Sequence, residues 1–220
     1  MLIRWATESN LYDAVEAIDR RSGTRLGLLK FDRASKEITF EHAENSAVLE
    51  KLRLVAQRQM HPRGHSFHYR YPQFIRAAQE EFCPCCNGQP APSDQHDIAS
   101  NDLFWIVGEY PGQGRLFGKM YVMPRKHYFH FEDMPTEQAA AFMNEVQRVG
   151  RALRNVTGAV KINYEMHSNS GAHLHIHLFP RYLDDDFPGM AIDVLQKEPA
   201  PYKDYDEFLW FIDQMRKELL

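Results

Sequence analysis

Three histidines, His173, His175 and His177, alternate with apolar residues in one short segment. Successive side chains of a strand point to opposite faces, so the segment predicts a strand over 173–179 with its imidazoles on one face, in a row about 6.5 to 7 Å apart. A neutral imidazole can act as a nucleophile, a general acid or base, or a metal ligand. The strict alternation therefore favours a chemical site over an incidental polar face.

The segment before this strand is rich in small polar residues, with the sequence Met166-His167-Ser168-Asn169-Ser170-Gly171. Backbone N–H groups of such a loop can converge on an anion. The loop could therefore bind an anion next to the three imidazoles.

The three cysteines of the chain, Cys83, Cys85 and Cys86, lie within four positions of one another. An odd, tightly clustered set does not fit a disulfide framework. Cys83 and Cys86 have the C-x-x-C spacing of a metal site, which a reducing compartment preserves. One such pair supplies only two ligands, so residues elsewhere must complete any metal site.

The composition is that of a globular protein, with 44% hydrophobic and 25% charged residues in a chain of 220. The formal net charge of −4 is too small to imply a highly charged partner. No segment approaches the roughly 18 unbroken apolar residues of a spanning helix. We therefore expect a cytoplasmic protein without a membrane partner.

One stretch, residues 51–79, is basic and contains no Asp or Glu. Its aromatic residues and histidines are interleaved with six cations, a composition that can contact phosphates or stack on bases. A solvated basic face is the more economical interpretation, and we do not expect nucleic acid as a partner. The cations are Lys51, Arg53, Arg58, Arg63, Arg70 and Arg76.

Residues 1–80 are predicted to form an N-terminal α/β extension. Leu11, Val15 and Ile18 recur at helical spacing and predict a first helix. Two apolar runs at 26–31 and 38–40 flank a polar turn and predict a hairpin. A second helix is expected from Ala47 onward.

Residues 81–220 are predicted to form an α+β domain, an antiparallel sheet carrying one main helix, followed by a C-terminal helix. Apolar runs and turn residues predict strands over 103–107, 118–124, 160–165 and 173–179. The main helix is expected from Thr136 to Gly158, and the C-terminal one around Phe208 to Leu219.

The segment His173-Leu174-His175-Ile176-His177-Leu178-Phe179 resembles in full the motif of the histidine-triad (HIT) family. The order of elements from Asp102 to Arg181 is also similar to that family, and the segments around Asn163 and Tyr182 look like bacterial members. The resemblance covers somewhat more than half of the chain. It implies the HIT fold for residues 81–220, whereas residues 1–80 have no recognised counterpart.

The resemblance implies a nucleotide hydrolase that cleaves a phosphoanhydride or phosphoramidate bond. His175 would attack phosphorus to give a nucleotidyl-histidine intermediate, which splits one difficult displacement into two easier ones. His177 would contact phosphate oxygens, and His173 is the first member of the catalytic triad. Nucleotide-transferring branches of the family have glutamine at the third position, so His177 favours water as the acceptor.

The resemblance also implies residues that bind the substrate. Ser170 aligns with a family serine that contacts the leaving group, and Asn163 aligns with a polar residue on the phosphate side. Asn169 lies in the same polar loop. Dinucleoside polyphosphates, nucleoside phosphoramidates and adenylylated adducts remain open as substrates.

Some members of the family carry a structural zinc ion, and the matching residues here are Cys83, Cys86, His127 and His173. A closed Cys2His2 site would be structural and would leave His175 free for chemistry. The alternative is that the cysteines are reduced and unligated. The resemblance further implies a homodimer.

Two functions of other classes remain. The three histidines could share a catalytic metal ion, although His173 and His177 are far apart for one ion. Alternatively, the chain could be a nucleotide-binding or nucleic-acid-binding module with little catalysis, using residues 51–79.

Overall fold

The computed structural model describes residues 1–6, 12–60, 76, 78–87, 95–110, 116–167, 173–185, 187, 189–192 and 201–220. The chain divides into two compact units, Met1–Ala77 and Ala78–Leu220. Within the described residues, no helix is long and apolar enough to cross a membrane.

Among the described residues of the first unit, four strands form an antiparallel sheet, which an α-helix accompanies. The predicted hairpin and the helix expected from Ala47 are both confirmed. The Asn45 side chain accepts a hydrogen bond from the Val48 N–H at 3.1 Å and caps the helix. In chain order the elements are β1 (Leu2–Trp5), β2 (Tyr12–Ile18), β3 (Arg25–Asp32), β4 (Ile38–Ala43) and α1 (Ser46–Gln59).

The helix predicted around Val15 and Ile18 is wrong, because these residues belong to strand β2; Leu11 lies outside the described residues. Strand β2 pairs with β1 on one side and β3 on the other. The buried carboxylate of Glu16 forms salt bridges with both neighbouring strands. Its oxygens lie 2.8 Å from Arg4 Nε of β1 and 2.5 Å from Arg25 Nε of β3. Pairing with distant segments outweighs apolar spacing over so short a run.

The described part of the second unit contains an antiparallel sheet of five strands in the order β5-β6-β7-β9-β8, together with two α-helices. It confirms the predicted antiparallel sheet with one main helix and a C-terminal helix. The strands are β5 (Gln95–Asp97), β6 (Phe104–Glu109), β7 (Met120–Pro124), β8 (Lys161–Glu165) and β9 (Ile176–Arg181). The helices are α2 (Thr136–Thr157) and α3 (Tyr205–Leu219).

Both helices contribute to one apolar core with one face of this sheet. Helix α2 contributes buried residues at helical spacing, and strand β9 contributes Ile176 and Leu178. Helix α2 ends at Gly158, which has a left-handed φ of 67° that favours glycine. Since side chains alternate along β9, His177 and Phe179 point to the opposite face.

The predicted strand over 173–179 begins later than expected, since β9 starts at Ile176. His173 and His175 lie in the extended segment before it, where the Leu174 N–H donates to the carbonyl of Tyr128 at 2.8 Å. The three imidazoles therefore do not form the predicted evenly spaced row. The ring centroids of His175 and His177 are 4.7 Å apart.

Candidate functional site

His173 faces a cluster of cysteines and histidines. Cys83 and Cys86 lie in the segment after a short 3-10 turn, and His127 follows the end of β7. One potential ligand atom from each of these four residues lies within 4.8 Å of all the others. The structure thus brings together the complete predicted ligand set.

The distances within this cluster fit tetrahedral zinc. Ordinary zinc bond lengths place two imidazole nitrogens about 3.3–3.4 Å apart, and a sulfur and a nitrogen about 3.5–3.6 Å apart. The Nδ1 atoms of His127 and His173 are 3.4 Å apart. Cys86 Sγ lies 3.5 Å from His127 Nδ1 and 3.4 Å from His173 Nδ1, and Cys83 Sγ lies 3.5 Å from His173 Nδ1.

The protonation of the cluster also fits a cation. His173 Nε2 donates to the carbonyl oxygen of Pro124 at 2.6 Å, which leaves Nδ1 as the ligand atom. Burial lowers the pKa of His173 to about 4 and raises that of Cys86 to about 12. A buried thiolate needs a cation beside it, and a divalent metal supplies one. The cluster supports a structural zinc ion.

His175 and His177 form a separate pair. His175 Nδ1 lies 2.8 Å from the carbonyl oxygen of His173, so Nδ1 carries the proton and donates it. The Nε2 atoms of the two rings are 3.0 Å apart. Because His175 Nε2 is then the acceptor, His177 Nε2 carries a proton and donates it. The arrangement presents an unprotonated nitrogen of His175 next to a donor.

Burial keeps both imidazoles of the pair uncharged. It lowers the pKa of His175, and the nearby positive charge of Lys119 lowers it further. Burial and the neighbouring His175 lower the pKa of His177 to about 2. A neutral imidazole retains the lone pair that a nucleophile needs.

The buried ion pair between Lys119 and Glu109 lies beside the His175–His177 pair. Glu109 is the last residue of β6, and Lys119 directly precedes β7. Lys119 Nζ is 2.6 Å from Glu109 Oε2 and 2.5 Å from Tyr121 Oη, and Tyr121 donates to the same carboxylate. The Tyr121 ring lies edge-on to His177, with centroids 4.7 Å apart. Sequence reasoning missed this network, although Lys119, directly before β7, and Tyr121 within it alternate with apolar residues.

Strand β8 lies on the other side of the His175–His177 pair, because it pairs with β9. Asn163 is half-buried and pairs with Phe179, two positions beyond His177. Glu165, opposite His177 in the register, was also missed by sequence reasoning. The predicted substrate-binding residues Asn169 and Ser170 lie outside the described residues.

The structure assigns His173 and the His175–His177 pair to two adjacent sites. Within the described part of the chain, His175 and His177 belong to no group of side chains that could hold a metal ion. The Nδ1 atom of His173 points instead to the cysteines. This geometry disfavours one catalytic ion shared by all three histidines.

Residues 116–184, which contain both His175 and His177, match a protein family described as "HIT domain". This segment of the chain is similar to a HIT domain. An uncharacterised HIT-like protein of Methanocaldococcus jannaschii is 29% identical over 112 residues, which cover 47% of this chain and 80% of that protein.

Solved structures of HIT proteins share the fold. A histidine triad protein from Bradyrhizobium japonicum is 25% identical with a TM-score of 0.51, and the match covers 58% of this chain and 92% of that one. A HIT protein from Sinorhizobium meliloti is 22% identical with a TM-score of 0.50, covering 57% of this chain and 90% of that one. The HIT domain supports a nucleotide-binding protein.

Proposed function

We propose that the protein is a nucleotide hydrolase that cleaves a phosphoanhydride or phosphoramidate bond through a nucleotidyl intermediate on His175. The observation that carries the proposal is the hydrogen bond from His175 Nδ1 to the carbonyl of His173, at 2.8 Å. It fixes the ring and leaves Nε2 as the nucleophilic atom. The HIT domain supports the nucleotide as the substrate class.

The two steps follow from this arrangement. His175 Nε2 attacks the phosphorus, the bond to the leaving group breaks, and the Nε2–H of His177 turns from His175 to a phosphate oxygen. A donor aimed at developing negative charge stabilises the transition state. Water then attacks the same phosphorus, the P–N bond breaks, and its electron pair returns to His175. Asn163, Asn169 and Ser170 are proposed to bind the phosphate and the leaving group.

Zinc would take no part in these steps. Cys83, Cys86, His127 and His173 would close its coordination, and a closed Cys2His2 site is structural. Its contribution would be to hold the backbone of His173, whose carbonyl anchors His175.

The experiment is mass spectrometry of the intact protein after brief mixing with adenosine and guanosine substrates of the three open classes. We expect a transient nucleotidyl adduct on the wild-type chain and none on His175→Ala, whose turnover should fall roughly 10³-fold or more. His96→Gln is the matched control, because His96 contacts Phe208 of the core on the other face of the sheet.

Two results would contradict the proposal. Near wild-type turnover by His175→Ala would exclude His175 as the nucleophile. A folded wild-type protein that binds these nucleotides without forming an adduct or a product would favour a binding module with little catalysis.

We also propose that the protein is a homodimer. Strand β8 lies at an edge of the sheet, and Val160 and Tyr164 beside it are exposed. Edge strands with exposed apolar residues offer unpaired backbone groups to a second chain. Light scattering during gel filtration measures the mass directly, and a monomer at all concentrations would exclude the dimer. The cytoplasmic location stays a prediction.

A further inference from the structure

The face of the sheet that carries the His175–His177 pair continues onto strand β8. Ile162 is buried in the core on the helix side, so alternation directs Asn163 and Glu165 to the side of His177. The register confirms this placement, because Glu165 is the direct partner of His177. His167 follows two positions later, at the entrance to the polar loop.

His167 lies close to the pair and is tied to Glu165. Its Nε2 is 2.8 Å from Glu165 Oε2, and its ring centroid is 5.7 Å from that of His177. The side chain of His167 is 41% exposed, whereas that of Glu165 is 12% exposed. A bound substrate can therefore reach His167, while its carboxylate partner is mostly enclosed.

The three histidines of this face divide into two kinds. His175 and His177 are buried, and burial disfavours their charged forms. His167 instead has contact with solvent and a carboxylate that can balance a positive charge. Among them, His167 is the one that the surroundings equip to carry a proton to the substrate.

We propose that His167 is a fourth histidine of the reaction, which protonates the leaving group, and that Glu165 is its positioning residue. The proposal rests on the proposed function. Glu165 holds Nε2, so Nδ1 is the nitrogen available for proton transfer. General acid catalysis of this kind contributes about 10²- to 10⁴-fold to a rate.

Every proton that is transferred in the two steps has a donor and an acceptor. When His175 Nε2 attacks a phosphoramidate, the P–N bond to the amine breaks, and the amine nitrogen takes the electron pair and a proton from Nδ1 of His167. The products are the nucleotidyl-His175 intermediate, a neutral His167 and the free amine. In the second step the neutral His167 accepts a proton from the attacking water, the P–N bond to His175 breaks, and the starting state returns.

The test compares two adenylyl compounds that differ in the leaving group. The alkylamine of an adenosine phosphoramidate leaves only with a proton, whereas the p-nitrophenolate of an adenosine 5′-p-nitrophenyl phosphate leaves as an anion. His167→Gln keeps a polar side chain of similar length and removes the imidazole. We expect this variant to lower the rate of the first step, measured in a single turnover as released amine or p-nitrophenolate, about 100-fold for the phosphoramidate and less than about threefold for the nitrophenyl ester.

Glu165→Gln should give a smaller change of the same kind, about tenfold on the phosphoramidate alone, and Glu165→Asp should restore part of it. His96→Gln, on the other face of the sheet, should behave as wild type on both compounds. Thermal melting of each variant separates loss of rate from loss of fold. Because His167 is exposed, its substitution is expected to change stability by less than about 0.5 kcal/mol.

The outcomes separate this inference from the proposed function. If His175→Ala is inactive and His167→Gln equals wild type on both compounds, or slows both equally, His167 is not the proton donor and the nucleophile assignment stands. If the wild-type chain turns over neither compound, or His175→Ala turns over both, the proposed function fails, and the inference fails with it.

Discussion

His173 and His175 are the same residue type, two positions apart in the chain, yet their rings meet backbone carbonyls through opposite nitrogens. His173 donates from Nε2 to the carbonyl of Pro124 and turns Nδ1 to the cysteines. His175 donates from Nδ1 to the carbonyl of His173 and keeps Nε2 for its neighbour His177. The backbone acceptor that each ring meets decides which nitrogen is left for metal or for substrate.

The two regions are also joined through one residue. The ring of His173 belongs to the zinc cluster, while its carbonyl oxygen anchors the ring of His175. Damage to the cluster should therefore act mainly on folding, and damage to the His175–His177 pair should act mainly on rate.

The largest effect is expected from Cys86→Ser, which removes one ligand of the cluster. Zinc content should fall well below that of the wild type. Structural zinc contributes to folding free energy, so the melting temperature should drop by roughly 10 °C or more. Zinc analysis and thermal melting measure both. Cys85→Ser is the matched control, since Cys85 is outside the ligand set. Equal zinc content in Cys86→Ser and wild type would show that Cys86 is not a zinc ligand.

His177→Ala should produce the reverse pattern. Loss of one donor to developing negative charge lowers kcat by about 10²- to 10³-fold. Zinc content should stay close to wild type, because His177 is not part of the ligand set. Steady-state kinetics with zinc analysis on the same preparation is the measurement. A parallel loss of zinc would show that the two regions are not separable.

Lys119→Met tests whether the Lys119–Glu109 ion pair next to His175 and His177 stabilises the fold independently of zinc. Lys119 is 0% exposed, and its loss leaves Glu109 without that cation. Breaking a buried ion pair from one side lowers the free energy of unfolding by about 3 kcal/mol. The double variant Lys119→Met/Glu109→Leu should recover most of this in urea denaturation, with zinc content unchanged. A double variant no more stable than the single one would contradict the ion-pair explanation.

The smallest effect is expected from Asp185→Asn, at the end of the strand that carries His177. Asp185 accepts two hydrogen bonds from Arg181, at 2.8 and 2.9 Å, and this pairing lowers its pKa to about 2. The substitution should lower the free energy of unfolding by about 1 kcal/mol at neutral pH.

The pH dependence of this difference follows from the direction of the shift. Stability from a carboxylate with a lowered pKa is fully present above its unfolded value of about 3.9 and is lost as the pH falls towards the folded value of about 2. Urea denaturation over this range should show the gap between variant and wild type closing. A gap that stays constant down to that lower pH would contradict the ion-pair explanation.

Much of the second unit could be predicted from the sequence. The apolar spacing of Phe142, Val146, Val149 and Leu153 fits the observed helix, because these residues face one core. Residues with the same parity along a segment of strand share a face, so the common face of Lys119 and Tyr121 could be predicted. Their closeness to His177 and to Glu109 could not, because the pairing of β7 with β9 and with β6 depends on the fold.

The first unit was harder to predict. Val15 and Ile18 fit a helical period as well as a strand, and only their pairing with β1 and β3 distinguishes the two. A short apolar run carries too little periodicity to choose between them. By contrast, α1 has a capping Asn45 and a buried stripe, which are local signals.

The sequence by itself determined which groups are available: the HIT motif, the C-x-x-C pair and the apolar periods that build the second unit. Those signals are local, because side-chain alternation and helical spacing act over a few residues. Only the tertiary structure decided which ring nitrogen of each histidine is hydrogen-bonded and which is left free. Which nitrogen of His173 or His175 is free depends on carbonyls and side chains that the fold brings within hydrogen-bond distance. The closeness of Glu165 and His167 to His177 arises in the same way, from the pairing of β8 with β9.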